Sequence, residues 1–500
     1  MTRRSFLAAL GASAAAQPTS KPNVVVILAD DLGHGDLSCY GNKFAETVHC
    51  DRLAKEGRRF FQAYTPSSVC SPTRYALMTG RYCWRTSLKR QVLNVNAPLH
   101  IEPSRMTLAS LFRKHGYEGA AIGKWHLGYG SEARVDWNKP LKPGPLELGF
   151  TYHFGVPSNH GDLTRAFVEN YDIVGRAPGV PFELGVKGEI PKGLAQPRVD
   201  DRVNITLAEK AVAFIDRSKD KPFFLYFTPV GVHNPVTPNK MFRGKSKAGL
   251  YGDYILEMDY CVGQVLAALD RHNLTKNTIV VFSSDNGAVV PSYSGRRETA
   301  VFNLNLENDD NGAVKNHYSV AQAEAEDAGH KPVGPLRGRK HSVYEGGFRV
   351  QFIVRWPGQV KAGSTSNEVV QIADLLATFA GIMKEKIPPG NGEDSYDIRP
   401  ALFKDKLAKP IREATVVHNA DGVFAIRQGR WKLIEKLTDP DGLARAWGKE
   451  GAEAHLYDLA ADPYEKTDLA AAKPEVVARL AKLLNTYKER GWSARATITR

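Results

Sequence analysis

The chain has 500 residues, 42% hydrophobic and 24% charged, with a formal net charge of +13. That length exceeds what one hydrophobic core supports, so a large domain plus a smaller one is expected, with the composition of a globular protein. The positive surplus attracts polyanions, but the basic residues are scattered and no nucleic-acid motif accompanies them. Nucleic acid is therefore not an expected partner, whereas an anionic polysaccharide would feel the same field.

The opening "MTRRSFLAALGASAAAQPTS" is short, basic, then apolar and Ala-rich, with small residues around Ala14 to Ala16. It reads as an export signal over 1–16, and Thr2 to Leu7 is similar to the twin-arginine signal that carries folded proteins across a bacterial membrane. The implied partner is an export machinery and the implied location periplasmic or secreted. Beyond this segment no apolar run is long enough to span a bilayer. The five cysteines, Cys39, Cys50, Cys70, Cys83 and Cys261, are too few and too irregularly spaced for a disulfide framework. An odd count in an exported chain raises the question of which thiol is special.

Four apolar runs follow one another along the chain, and each stops at polar residues. Val24 to Leu28 leads to Asp30 and Asp31; "YEGAAIG" leads to Lys124 and His126. Phe223 to Phe227 leads to His233, and Thr278 to Phe282 leads to Asp285 and Asn286. Continuous β-branched and aromatic runs suit strands buried on both faces of a parallel sheet. Between them, Asp51–Phe60, Met106–Gly116, Asn204–Ser218 and Tyr254–His272 carry apolar residues at helical spacing. Strand and helix in alternation predict an α/β domain whose mostly parallel mixed sheet is covered by helices. Ligands of such sheets bind beyond the carboxyl ends of the strands, where these acids, amides and histidines fall.

From Ala288 to Pro335 the sequence is polar and without clear periodicity, which predicts a substrate-facing loop. Past "KIPPGNGEDS" the texture changes. "REATVVHNADGVFAIRQGRWKLIEK" predicts antiparallel strands turning at Asp421-Gly422 and Gln428-Gly429, and "KPEVVARLAKLLNTYKERGW" predicts a final amphipathic helix. The expected organisation is a catalytic domain over 17–395 and a smaller C-terminal α+β domain, antiparallel sheet plus helix, over 396–500.

The polar strand ends have a common chemistry. Asp30, Asp31, Asp285 and Asn286 offer only oxygen ligands, which favours a hard cation, Ca²⁺ or Mg²⁺, over zinc. In "SSVCSPTRYALMTGR", Pro72 suits the first turn of a helix capped by Ser71, so Cys70 would lie at the amino end, where free amides favour an anion. Arg74 adds a forked cation, with Lys124 and Lys340 as further charges, and His126 and His233 can move protons. Together these groups make a receptor for a tetrahedral anion such as sulfate or phosphate.

These motifs resemble those of the formylglycine-dependent sulfatases of the arylsulfatase type, within the alkaline phosphatase superfamily. The texture is closest to arylsulfatase A and N-acetylgalactosamine-6-sulfatase-like enzymes, and the likeness runs from about Asn23 to the C-terminus. "CSPTR" resembles the C-x-P-x-R modification signature, and "PNVVVILADDLGHGDLSCYG", "GKWHLG", "HNP", "SDNG", "GRK…EGGFR" and "HLYDLAADPYEKTDLA" follow in the family's order. The resemblance implies an alkaline-phosphatase-like fold and sulfate-ester hydrolysis, with a sulfated carbohydrate as substrate by analogy. It also implies that a maturation enzyme oxidises Cys70 to formylglycine. One hydroxyl of the resulting hydrate attacks sulfur, and the other expels sulfate by collapse to the aldehyde.

Roles follow by the same resemblance. Asp30, Asp31, Asp285 and Asn286, with the modified Cys70, match calcium ligands, and Asp285 also matches the acceptor of the attacking hydroxyl's proton. Arg74 steadies the hydrate, Lys124 and Lys340 clamp sulfate, His233 with Lys340 protonates the departing alcohol, and His126 helps collapse the sulfated diol. Asn159 in "GVPSNH" stands where relatives place a serine near sulfate, which makes it a candidate substrate-side residue. Two other readings stay open: a phosphodiesterase or phosphonate monoester hydrolase using the same groups, and a silent binder of sulfated glycans.

Overall fold

The computed structural model describes residues 21–186, 189–294, 305–306, 320–436 and 453–494. The expected signal over 1–16 lies outside the described residues, as does most of 295–319.

All four apolar runs are strands: Asn23–Ala29, Glu118–Lys124, Phe223–Thr228 and Thr278–Ser284. They form the parallel centre of a ten-stranded mixed sheet, in the spatial order Thr278–Ser284, Asn23–Ala29, Phe223–Thr228, Glu118–Lys124. Every residue of the first strand is buried, with Val24, Val26 and Leu28 in one core and Val25, Ile27 and Ala29 in the other. An unbroken apolar run is what a strand covered on both faces requires.

Helices Val203–Ser218, Gly249–Arg271 and Val48–Glu56 cover one face through residues such as Leu207, Phe214, Val262 and Leu53. Helices Cys70–Thr79, Leu108–Lys114 and Leu375–Met383 cover the other through Tyr75, Phe112 and Phe379. The helix expected over Asp51–Phe60 ends at Glu56, because Arg58–Phe60 pairs instead with Phe352–Arg355 and Ser364–Ser366 at the sheet margin.

Near the C-terminus, Thr415–His418, Phe424–Gln428, Trp431–Ile434 and His455–Asp458 form a separate four-stranded antiparallel sheet. Helix Pro474–Glu489 seats Leu480, Leu484 and Tyr487 against it. The sheet is bonded to the segment before Cys70: His418 N donates to Pro66 O at 3.1 Å and Ser68 N to His418 O at 3.3 Å.

Candidate active site

Register decides where the acids fall. Ala29 lies opposite Ser284 and Ile27 opposite Phe227, so the first, third and fourth runs end nearly flush. Asp30 and Asp285, one step beyond paired residues, are thereby brought side by side, and Asp31 N donates to Asp285 Oδ1 at 3.2 Å. The second run ends at the same level because Gly123 lies opposite Thr228; a Cβ at Gly123 would sit 2.0 Å from Thr228 O. Lys124 follows directly and donates to both oxygens of Asp30, at 2.9 and 2.8 Å.

Cys70 reaches this group from the start of helix Cys70–Thr79. Ser71 is not its cap: Val69 holds that position, and Ser71 Oγ, inside the first turn, accepts from Leu93 N at 3.2 Å. Proline at the third helical residue leaves the preceding amides free of an i−4 partner, so Cys70 still sits at an amino end. Its Sγ is 3.8 Å from Asp30 Oδ1 and 3.8 Å from Lys340 Nζ. One turn on, Arg74 donates from Nη2 to Asp285 Oδ2 at 2.8 Å and from Nη1 to Lys124 O at 2.8 Å.

Lys340 arrives from a compact segment, 337–348, wedged between the fourth strand end and the Cys70 segment. Lys340 N donates to Ala288 O at 2.7 Å and His341 N to Ser68 O at 3.1 Å. The approach is close: a Cβ at Gly287 would lie 1.8 Å from Gly346 O. Lys340 Nζ stands 2.7 Å from Asp31 Oδ1 and 2.8 Å from Asp31 Oδ2. On the far side of Asp31, His233 Nε2 lies 3.7 Å from Oδ2, while His233 Nδ1 faces Asn234 O at 2.6 Å. That contact assigns the proton of the neutral ring to Nδ1.

The cluster is sealed. Asp30, Asp285, Asn286, Arg74 and Lys124 are fully buried, and Asp31, Cys70 and Lys340 nearly so. Burial, only partly offset by Lys124 and Lys340, pushes the Cys70 thiol up to about 12, so an unmodified Cys70 stays a neutral thiol at physiological pH. Burial followed by the charge of Lys340 pulls His233 down to about 3, leaving it neutral. Burial alone would raise the Asp31 carboxyl, but Lys340, His233 and Lys124 hold it below the usual range. Asp31 and His126 have left-handed backbone, with φ of 60° and 54°. In non-glycine residues that conformation costs energy and persists only where the surroundings impose it.

The donor set fits a hard cation. Asp30, Asp31, Cys70 and His233 offer ligand atoms within 4.8 Å of one another. Asn286 turns Nδ2 toward Asp31 Oδ1 at 2.7 Å, while its buried Oδ1 has no hydrogen-bond partner among the described residues. An orphaned amide oxygen among carboxylates is the chemistry that calcium accepts.

Ten of the eleven residues singled out in the sequence gather around this point. His126 stands at the margin: Nε2 meets Leu93 O at 3.1 Å, and its basicity is depressed by burial, Lys124 and Arg74. Asn159 is partly buried, and no hydrogen bond among the described residues ties it to the cluster; its carbonyl accepts from Asp162 N at 3.0 Å. Asn204 escaped notice as a residue of a plain helix, yet its Oδ1 accepts from Val230 N at 2.9 Å and Gly231 N at 3.2 Å, fixing the turn that delivers His233. A fully buried amide at the start of an apolar helix was the available signal.

The polar stretch 288–335 is described at its two ends and at 305–306. It contains a helix, Val320–Asp327, from which Gln322 Nε2 donates to Asn234 Oδ1 at 3.3 Å, so that end does return to the His233 turn. A cavity of about 920 Å³ opens beside it, lined by Val290, Ala323, Glu326, His330, Lys331 and Arg337.

Comparison with known proteins gives consistent results. The Sulfatase family profile matches residues 22–385, and the profile for the N-sulphoglucosamine sulphohydrolase C-terminal region matches 339–490. The chain is 35% identical to an N-acetylgalactosamine-6-O-sulfatase of Bacteroides thetaiotaomicron, over 95% of this chain and 94% of that one. It is 30% identical to human arylsulfatase A, over 96% and 90%. A solved sulfatase structure from work on glycosaminoglycan metabolism by Bacteroides thetaiotaomicron superposes with a TM-score of 0.83 at 34% identity, covering 94% of this chain and 99% of that one. The chain therefore belongs to the sulfatase family and is a sulfuric ester hydrolase.

Proposed function

We propose that this chain is an exported sulfatase that removes sulfate from a sulfated carbohydrate, using a formylglycine made from Cys70 and a bound calcium ion. The observation that carries the reading is the meeting, at Cys70 Sγ, of Asp30, Lys340 and the amino end of a helix in a sealed pocket with Asp31, Asp285, Asn286 and Lys124. A thiol held up to about 12 is a poor nucleophile, which favours Cys70 as a precursor over Cys70 as the reacting group.

Asp30, Asp31, Asp285 and Asn286 would hold the calcium ion, whose charge, when bound, draws a sulfate oxygen and favours the ionised state around it. Lys124 is bonded to Asp30 and Lys340 to Asp31, and with a cation sharing those carboxylates both ammonium groups would be available to the anion. Arg74, locked on Asp285 and on the carbonyl of Lys124, orients the side chain at position 70. The neutral His233 ring carries its proton on Nδ1, so donation to a leaving alcohol requires Nε2 to be protonated first, which an arriving sulfate monoanion would promote. His126, at the margin, serves the later release of sulfate.

The substrate class is supported by the 35% identity to a 6-O-sulfatase of N-acetylgalactosamine. Export is supported by the leader over 1–16, and no described helix is long and apolar enough to cross a membrane. The deciding experiment uses enzyme matured by a formylglycine-generating enzyme and a panel of sulfated mono- and oligosaccharides, beside an aryl phosphodiester. The expected result is loss of sulfur and gain of oxygen at Cys70 by mass spectrometry, with the highest kcat/KM on an amino-sugar 6-sulfate. A larger kcat/KM for the diester would overturn the assignment.

A further inference from the structure

A second buried ionic cluster lies at the junction with the C-terminal sheet, and every charged oxygen in it has a donor. Lys432, on strand Trp431–Ile434, donates to Glu345 Oε1 at 3.0 Å and to Glu465 Oε1 at 2.7 Å. Tyr64 OH donates to Glu345 Oε2 at 2.5 Å, and Glu345 N donates to Glu465 Oε2 at 2.8 Å. Lys432 is 2% exposed, and the two glutamates are fully buried. Two carboxylates sharing one ammonium do not ionise with equal ease. Burial raises both, but Lys432, Arg349 and Arg427 bring Glu345 down to about 2, whereas Glu465 stays up at about 7.

The cluster holds both segments that reach Cys70. Glu345 closes the 337–348 segment that carries Lys340: Gly346 N donates to Arg337 O at 2.7 Å, and Arg337 Nη1 donates to Glu465 O at 2.7 Å. Tyr64 begins the stretch leading through Thr65 and Ser68 to Cys70, and Arg427 of the C-terminal sheet donates to Tyr64 OH. Two loops from distant parts of the chain thus meet at Glu345, which Lys432 holds, and their tips meet again where His341 N donates to Ser68 O.

We infer that Lys432, through Glu345 and Glu465, is a positioning residue for Lys340 and that the C-terminal sheet is thereby part of the catalytic apparatus. The inference rests on the proposed function and on Lys340 joining His233 in protonating the leaving alcohol, the role that the family resemblance implies beside its contact with sulfate. A saturated network of this kind has one low-energy arrangement, so it transmits position rather than merely adding stability. A displacement of about 1 Å at a reacting group is enough to cost on the order of 100-fold in rate.

The test compares Lys432→Met, Lys340→Ala and the double variant in the matured enzyme, each assayed on 4-nitrophenyl sulfate and on N-acetylgalactosamine 6-sulfate. Lys488→Met serves as control, since Lys488 pairs with Glu435 in the same C-terminal unit without touching the 337–348 segment. Lys432→Met is expected to lower kcat on the sugar sulfate by about 10- to 100-fold and on the activated aryl ester by less than about 3-fold. In the Lys340→Ala background it should add less than about 2-fold, because both changes remove one interaction. Equal losses on the two substrates, or losses that multiply in the double variant, would overturn the inference. If Lys340→Ala itself keeps full activity, the role assigned to Lys340 falls, and the brace with it. Should Lys432→Met not fold, Tyr64→Phe, which removes the hydroxyl that donates to Glu345 and accepts from Arg427, must show the same substrate-dependent pattern at smaller amplitude; a uniform loss would count against the inference.

Discussion

Around Cys70, three carboxylates face three cations in a sealed pocket; around Lys432, two carboxylates share one ammonium in an equally sealed pocket. The two clusters differ in satisfaction. At Lys432 each carboxylate oxygen has its donor, and the ammonium has two acceptors. At Cys70 the Asn286 oxygen and His126 Nδ1 are buried without hydrogen-bond partners among the described residues, and the backbone at Asp31 and His126 is held in a costly conformation. Burial of charge alone therefore does not mark a site. Burial with polar groups left over, on strained backbone, does.

Chelation should separate the clusters most sharply. Prolonged treatment with EDTA is expected to remove more than about 90% of activity and lower Tm by about 2–4 °C, both restored by Ca²⁺. Lys432→Met enzyme should show the same calcium-dependent rise in Tm, because its lesion lies elsewhere; recovery with Zn²⁺ alone would contradict the oxygen-ligand argument.

Replacing one group of the unsatisfied cluster is the next largest effect. His233→Ala is expected to cost about 100-fold on sugar sulfates and less than about 10-fold on an activated aryl sulfate, measured as kcat. Equal losses would remove its assignment as the acid for the leaving alcohol.

The smallest effect concerns the junction. His418 stands where the C-terminal sheet meets the Cys70 segment, with burial holding it down to about 4 and Nδ1 facing Pro66 O at 3.2 Å. The unfolded imidazole gains its proton near 6.5, so between those values the unfolded state binds more protons and stability falls as pH drops. Its own share of the slope is about 1.4 kcal/mol per pH unit between those values, added to that of the other buried histidines, so His418→Phe is expected to lessen the fall of Tm with pH without abolishing it.

How much of this was readable in advance depended on whether the signal was local. The four strands and their acidic or basic ends were legible because an unbroken apolar run followed by Asp, Lys or Asn is contained in ten residues. Their adjacency needed only the preference of parallel strands for the sheet interior. The Ser71 cap failed because the helix begins at Cys70, two residues earlier than a cap at Ser71 implies, with Pro72 inside its first turn. Helix Val320–Asp327 was missed because "VAQAEAED" mixes alanine and charge without an apolar stripe. The Lys432 cluster had no local mark at all: in "RWKLIEK" the lysine reads as a solvent-facing residue of an edge strand, and its partners lie 87 and 33 residues away.

One consequence follows from the burial of every residue between Cys70 and Thr79. A visiting enzyme has to grip a peptide to oxidise it, and here the finished fold offers no handle. Under the maturation proposed above, the enzyme that converts Cys70 has to act while the polypeptide is still open. On that reading the active fraction of a preparation is set during synthesis, and exposing the folded protein to the maturation enzyme afterwards is expected not to raise it.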